Sequence, residues 1–168
     1  MKNLNPKIAV YPGTFDPFSL GHENIARRAA RIFDTVIVAI AHAHHKMPCF
    51  SLEERLELTR QIMGDLPQIR VVAFSGLLID FLHEQNAGVI VRGLRNTTDF
   101  DYENPLAGLH RQISPEVETV FLCAENAHIF TSSTLIREMA FLGGDIAQLV
   151  HPLVVEKLRQ KQENNAIQ

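Results

Sequence analysis

The densest run of reactive residue types lies near the N-terminus, in Gly13-Thr14-Phe15-Asp16-Pro17-Phe18-Ser19-Leu20-Gly21-His22. Thr14 offers a hydroxyl and His22 an imidazole. Pro12 and Gly13 end a preceding apolar run, and Gly21-His22 opens a segment with helical spacing. A helix N-terminus presents unpaired N–H groups and a partial positive charge, so a phosphate chain can lie across it, with His22 in reach as a ligand. An isolated Gly-His pair reads more simply as a surface residue behind a helix-start glycine; the neighbouring residues favour the phosphate. A second run, Val91-Arg92-Gly93-Leu94-Arg95, follows another apolar stretch. Its two guanidinium forks, on either side of what reads as a tight turn, could grip phosphate oxygens bidentately; structural salt bridges are the plainer alternative. A third run, His128-Ile129-Phe130-Thr131-Ser132-Ser133-Thr134, puts hydroxyls and N–H groups at the start of a helical pattern. Capping accounts for one such residue but not for the cluster.

These runs need elements to hold them. Short β-branched stretches at 7–11, 35–41, 69–74, 88–91 and 119–123 are too short for stable helices and are bounded by turn residues, so they read as five strands. Between them Ile25, Ala29, Ile32 and Phe33 recur at helical spacing. Ser51-Leu52-Glu53-Glu54 has the form of a capping box, opening a helix that carries Leu52, Leu56 and Met63. Apolar strands alternating with helices predict a parallel sheet covered on both faces: an α/β fold, one doubly wound Rossmann-like domain over residues 1–168 with a five-stranded sheet. In such sheets ligands bind beyond the carboxyl ends of the strands, where the three reactive runs fall. A C-terminal helix is expected at 153–159, and the polar residues 160–168 read as a frayed tail.

The 168 residues are 46% hydrophobic and 21% charged, enough for a substantial core. The net charge of -3 gives no global basic field, so nucleic acid is not the expected partner and the anion is expected to be a metabolite. Two cysteines, Cys49 and Cys123, lack CxxC spacing, and the N-terminus lacks the order of a signal peptide, which fits a reducing cytoplasm. No apolar run approaches the roughly 20 residues needed to span a bilayer, so no membrane role is expected.

The segment from Gly13 to His22 resembles the opening of the nucleotidyltransferase α/β phosphodiesterase superfamily, marked by a [His/Thr]-x-Gly-His motif. Arg92-Gly93-Leu94-Arg95 followed by Asp99-Phe100-Asp101-Tyr102-Glu103 resembles the signature of the bacterial phosphopantetheine adenylyltransferase family. The likeness continues through Phe50-Ser51-Leu52-Glu53-Glu54-Arg55, Phe74-Ser75-Gly76-Leu77-Leu78, Ser132-Ser133-Thr134-Leu135 and Gly143-Gly144-Asp145. It implies transfer of the adenylyl group of ATP to 4'-phosphopantetheine, giving dephospho-coenzyme A and pyrophosphate. A phosphate monoester is ionised near neutral pH, so no general base and no covalent intermediate are required; alignment and charge stabilisation suffice. By resemblance Thr14, His22, Lys46 and Arg95 carry the chemistry. Thr14, Lys46, Leu78, Arg92, Leu106 and His110 would bind the acceptor. Thr14, Phe15, His22, Gly93, Leu94, Arg95, Glu103 and residues His128, Ile129, Phe130, Thr131, Ser132, Ser133 and Thr134 would bind ATP, with Glu103 at the ribose. Asp99 reads as a holder for an arginine. Mg²⁺ is expected with ATP, held by phosphates and water, with no protein ligand assigned. The resemblance further implies a homohexamer, and coenzyme A is the expected feedback ligand.

The chain departs from the family pattern in several places. Ser19 stands where threonine is usual, keeping the hydroxyl. Ala41-His42-Ala43-His44-His45 replaces small and polar residues; its imidazoles could bind a transition metal, but raising the positive potential of an anion site at lower pH is the better reading. Pro105 is expected to start or kink a helix. His110 replaces an asparagine in the acceptor arm, and Ala124-Glu125-Asn126-Ala127-His128-Ile129 lacks the common Pro-Ser and aromatic-Ser elements. Two rivals remain: another nucleotidyltransferase of this fold with a different phosphate acceptor, and a nucleotide-binding module without turnover. Arg92 to Glu103 argues against the first, and intact Thr14, His22 and Lys46 against the second.

Overall fold

The computed structural model describes residues 3–42 and 48–166. Five parallel strands form one sheet: β1 (Asn5–Gly13), β2 (Thr35–Ala41), β3 (Ile69–Phe74), β4 (Ala87–Leu94) and β5 (Glu118–Cys123). Their order is β3-β2-β1-β4-β5. The chain winds outward from β1 to β3, then crosses back to lay β4 on the other side of β1, so the topological switch point lies between β1 and β4. Helices α1 (Leu20–Ala29), α2 (Leu52–Met63), α3 (Leu78–Glu84), α4 (Thr97–Ile113), α5 (Ser133–Phe141) and α6 (Pro152–Ala166) connect and follow the strands.

Both sheet faces are buried, and alternation along the strands divides the core. Ala9, Tyr11, Val36, Val38, Ile40, Val89 and Val91 face one cluster, packed with Ile25, Leu58, Ile62, Ile136 and Val154. Val10, Ile37, Ala39 and Ile90 face a second, with Ile79, Phe81 and Leu82 of α3. This two-sided burial explains why the strands read as continuous apolar runs. Among the described residues no helix is long and apolar enough to cross a membrane.

Three expectations need correction. Strand β4 runs on through Arg92, Gly93 and Leu94, which pair with Phe121, Leu122 and Cys123 of β5, so the two arginines do not flank a tight turn. Parallel pairing with a neighbouring strand carries β4 further than its β-branched residues alone indicate. Pro105 neither starts nor breaks α4, which begins eight residues earlier where the Asn96 side chain accepts from Asp99 N–H; one missing amide within a 17-residue helix is outweighed by the turns on either side. Helix α2 carries Leu52, Leu56 and Met63 as expected, Met63 buried and the two leucines partly covered against the core, and it also buries Arg55, Leu58, Thr59 and Ile62. The capping box itself is present, with Ser51 Oγ accepting from Glu54 N–H and Glu54 Oε2 from Ser51 N–H. Finally, α6 extends to Ala166 rather than ending at Arg159. Tertiary bonds hold the extension: Lys161 Nζ lies 2.8 Å from Glu54 Oε2, and Gln162 donates to Ala140 O.

Candidate active site

At the carboxyl ends of β1 and β4 the chain opens into a cleft of about 640 Å³ at the switch point, where open α/β sheets bind ligands. Thr14, Phe15, His22, Arg92, Gly93, Arg95, Glu103, His128, Thr131, Ser132, Ser133 and Thr134 all line it. Three runs far apart in sequence therefore share one wall. Leu78, Leu94, Leu106, His110, Ile129 and Phe130 do not line it. Leu78 packs against the α3 side of the core, and Phe130 is 88% exposed. Lys46, with His44 and His45, lies outside the described residues. Among the described residues no group of His, Cys, Asp and Glu side chains is arranged to hold a metal ion.

The turn after β1 is shaped by its own aromatic residues. Phe15 adopts a left-handed φ of 51°, an uncommon conformation for a bulky residue. Its ring folds back over Gly13, where an added Cβ would stand 2.7 Å from Phe15 Cζ; that position must be glycine for the ring to lie there. The ring also meets Tyr11, Phe18 and His22 at centroid distances of 5.3, 5.3 and 5.1 Å. At Gly21, by contrast, an added Cβ would make only an ordinary 3.4 Å contact with His128 Cβ. The protein's own packing therefore leaves room beside that helix start.

Ser19 caps α1, and the third helical residue of this capping box is His22. Ser19 Oγ accepts from His22 N–H, while His22 Nδ1 accepts from Ser19 N–H at 3.1 Å. An amide N–H can bond only to an unprotonated Nδ1, so the neutral ring carries its proton on Nε2. Burial, with the Arg95 cation adding to it, pushes the His22 pKa down to about 4. At neutral pH His22 is a neutral hydrogen-bond donor, not a cation and not a poised base.

Arg95 is clamped by Asp99, whose two oxygens accept from Nε and Nη2, each at 2.9 Å, and also from the Arg95 backbone N–H. The clamp raises the guanidinium pKa. On Asp99 itself burial pulls upward, but the Arg95 bonds outweigh it and hold the carboxyl below its ordinary range. Arg95 Nη1 also donates to Thr131 O, linking the end of β4 to the loop before α5. Arg92 donates through Nη1 to Pro12 O and pairs through Nε with Glu103 at 3.1 Å. Glu103, expected at a ribose, is thus paired with Arg92. His110 stands near enough to Arg92 that, after burial, the cation helps to depress its pKa.

Sequence reasoning passed over Arg137, Asp16 and Tyr11, which also line the cleft. Arg137 lies one helical turn after Ser133, a spacing that could have indicated a second cation facing the same anion. It donates to Asp16 O and Thr134 Oγ1. The Tyr11 hydroxyl is buried next to Arg92 and Arg95, and burial raises its pKa. The assembled wall combines one neutral imidazole donor, three guanidinium groups and the hydroxyl-rich start of α5. It can hold a polyphosphate and stabilise charge developing on phosphate oxygens.

Residues 10–139 match the family described as Cytidylyltransferase-like. A phosphopantetheine adenylyltransferase from Thiobacillus denitrificans is 51% identical over 157 residues, covering 94% of this chain and 98% of that protein. Another, from Acidovorax sp. (strain JS42), is 56% identical over 154 residues, covering 92% and 93%. A solved bifunctional NMN adenylyltransferase/ADP ribose pyrophosphatase from Francisella tularensis superposes with a TM-score of 0.71 at 17% identity, over 93% of this chain and 49% of that one, a likeness of fold. With the relatives matched over nearly their full length and the motifs gathered into one cleft, the chain belongs to the phosphopantetheine adenylyltransferase family.

Proposed function

We propose that this chain transfers the adenylyl group of ATP to 4'-phosphopantetheine, releasing pyrophosphate and forming dephospho-coenzyme A, a step of coenzyme A biosynthesis. The observation that carries the reading is the neutral, Nε2-protonated His22 sharing one wall with Arg92 and Arg95. A neutral donor can follow charge onto the oxygens of the α-phosphate without having to lose or gain a proton. The acceptor phosphate is its own nucleophile: one of its oxygens bonds to the α-phosphorus as the bond to the pyrophosphate oxygen breaks in line opposite.

In this reading Thr14 and Lys46 align the acceptor phosphate with the α-phosphate, and Arg92 holds the acceptor. Gly93, Leu94 and Arg95, with 128–134, take the nucleotide; Arg95 arrives pre-positioned by Asp99, which lowers the ordering cost of binding. Leu78, Leu106 and His110 serve the acceptor's pantetheine arm, although in the ligand-free chain they stand outside the cleft wall. Glu103 would release Arg92 to meet a ribose hydroxyl. Mg²⁺ would enter on the triphosphate and neutralise part of its charge. That fits the cleft, whose carboxylates are engaged: Asp16 accepts from Cys49 and Phe50 N–H, Asp99 from Arg95, and Glu103 pairs with Arg92.

A homohexamer is supported by α4, none of whose residues is fully buried while Leu109 and Ile113 remain exposed; light scattering that finds a monomer at micromolar concentration would contradict it. Coenzyme A carries both the pantetheine arm and an adenine nucleotide, which supports it as a feedback ligand of the same cleft. Two free cysteines, Cys49 and Cys123, support a reducing cytoplasm. Purified protein with ATP, Mg²⁺ and 4'-phosphopantetheine should yield pyrophosphate and dephospho-coenzyme A in equal amounts. Product only with another acceptor, such as nicotinamide mononucleotide, would overturn the substrate while sparing the fold.

A further inference from the structure

Arg55 lies one turn into α2 and is only 2% exposed, so it cannot touch a ligand. Its guanidinium bonds the frame of the site through Nη1 and Nε. Nη1 donates to Thr14 O at 2.7 Å and to Ala41 O at 2.9 Å. Nε is shared between Phe50 O at 3.2 Å and Ser51 O at 3.3 Å. One buried side chain thus ties together the turn after β1, the end of β2 and the start of α2.

Asp16 bonds the same pieces with the opposite polarity. Its Oδ2 and Oδ1 accept from Cys49 N–H at 2.8 Å and Phe50 N–H at 2.9 Å, and it is 5% exposed. Between the two anchors lies Phe15 in its left-handed conformation. Such a conformation persists only where the surroundings over-determine it, and here the bonds on Thr14 O and on the Asp16 carboxylate do so from either side. In the sequence Lys46 lies between Ala41 and Cys49; Cys49 is bonded to the turn through Asp16, and Ala41 to Arg55, which also holds Thr14 O.

We infer that Arg55 is a positioning residue for adenylyl transfer: with Asp16 it clamps the Thr14 turn to the ends of β2 and α2, setting where Thr14 stands relative to His22. This rests on the proposed function for its chemistry, but the clamp itself is a property of the ligand-free chain. Lysine would restore the charge but not the fork that reaches several carbonyls at once. The larger effect belongs in turnover, since most of the expected ATP-binding residues, those of β4 and of 128–134, are not bonded to Arg55, although Thr14 and Phe15 lie on the turn it holds.

The test compares wild type with Arg55→Met, Arg55→Lys, Asp16→Asn and the Arg55→Met/Asp16→Asn double variant, each at least 15 °C below its own Tm. Arg55→Met is expected to lower kcat about 30-fold with KM for ATP changed less than about threefold, the pattern of lost alignment and not lost binding. Arg55→Lys should recover only part of that loss. The double variant should lose less than the product of the single losses, because both residues act on one turn. Amide exchange without substrates should speed up at Cys49 and Phe50 in Arg55→Met while the amides of β4 and β5 keep their protection. Normal kcat in Arg55→Met, or in Arg55→Lys where the methionine variant does not fold, would overturn the assignment; so would losses that multiply. If wild type itself forms no dephospho-coenzyme A, the proposed function fails, and the exchange measurement still reports whether Arg55 holds the turn.

Discussion

The turn from Gly13 to His22 and the loop from Ala124 to Thr131 line the same cleft, yet they are built differently. The first is bonded almost wholly to the protein: Thr14 O to Arg55, the Asp16 carboxylate to two amides, Ser19 and His22 to each other. The second contains a single 3-10 turn at Asn126–His128, leaves Phe130 exposed, and holds His128 Nδ1 buried without a hydrogen-bond partner. A buried polar atom without a partner is costly, and a ligand that supplies one relieves the cost. The contrast teaches that the turn to which the proposed function gives alignment is held by the protein's own hydrogen bonds, while the loop to which it gives the nucleotide has one buried acceptor or donor that the protein does not pair.

The strongest way to break this comparison is His22→Ala. Losing a donor aimed at developing oxyanion charge commonly costs about 100-fold or more, so kcat should fall by at least about that factor with Tm nearly unchanged; an unfolded variant or a normal turnover would remove His22 from its role. The same residue gives a spectroscopic check. Its imidazole should titrate near 4 instead of 6.5 by NMR, with the neutral ring as the Nε2–H tautomer. The sign follows: above pH 6.5 the ring is neutral in folded and unfolded chains alike, so it makes no pH-dependent difference. Between 6.5 and about 4 only the unfolded chain takes up the proton, and stability falls with pH across that window.

Next in size is Asp99→Asn, which weakens the clamp on Arg95 from charge-assisted to neutral. Charge-assisted hydrogen bonds contribute roughly 1.5–3 kcal/mol, so KM for ATP should rise on the order of tenfold while kcat moves less; an unchanged KM would show that Arg95 does not need its partner. The smallest effect is expected from His128→Ala. On the proposed reading, in which His128 Nδ1 finds its partner on the nucleotide, its removal should raise KM for ATP about threefold to tenfold, in line with a single hydrogen bond, and leave kcat alone. A fall in kcat there would erase the distinction between an aligning turn and a reading loop.

Much of this was legible along the chain. The five strands lie on the β-branched runs that predicted them, because β1, β2 and β4 are buried on both faces and the edge strands β3 and β5 are partly covered, which keeps each run apolar. Ser51 and Glu54 form the capping box their spacing announced, and Thr14, His22, Arg92 and Arg95 share the cleft to which their positions at strand ends assigned them. Local rules sufficed for these because hydrophobic period and helix capping act over a few residues.

Other features depend on partners remote in sequence. Along the chain Arg55 is only the last residue of a family-like run, with no role assigned; only folding brings Thr14 O, 41 residues away, and Ala41 O to its fork. Strand β4 continues through Arg92 because β5 pairs with it, α6 continues past Arg159 because Glu54 and Ala140 bond to it, and Glu103 is occupied by Arg92. The sequence alone determined the α/β class, the location of the strands and the kind of anion chemistry, since these follow from short-range pattern and residue type. The tertiary structure alone decided which groups are held by the protein's own bonds, since those hydrogen bonds join residues far apart in sequence across the sheet edge.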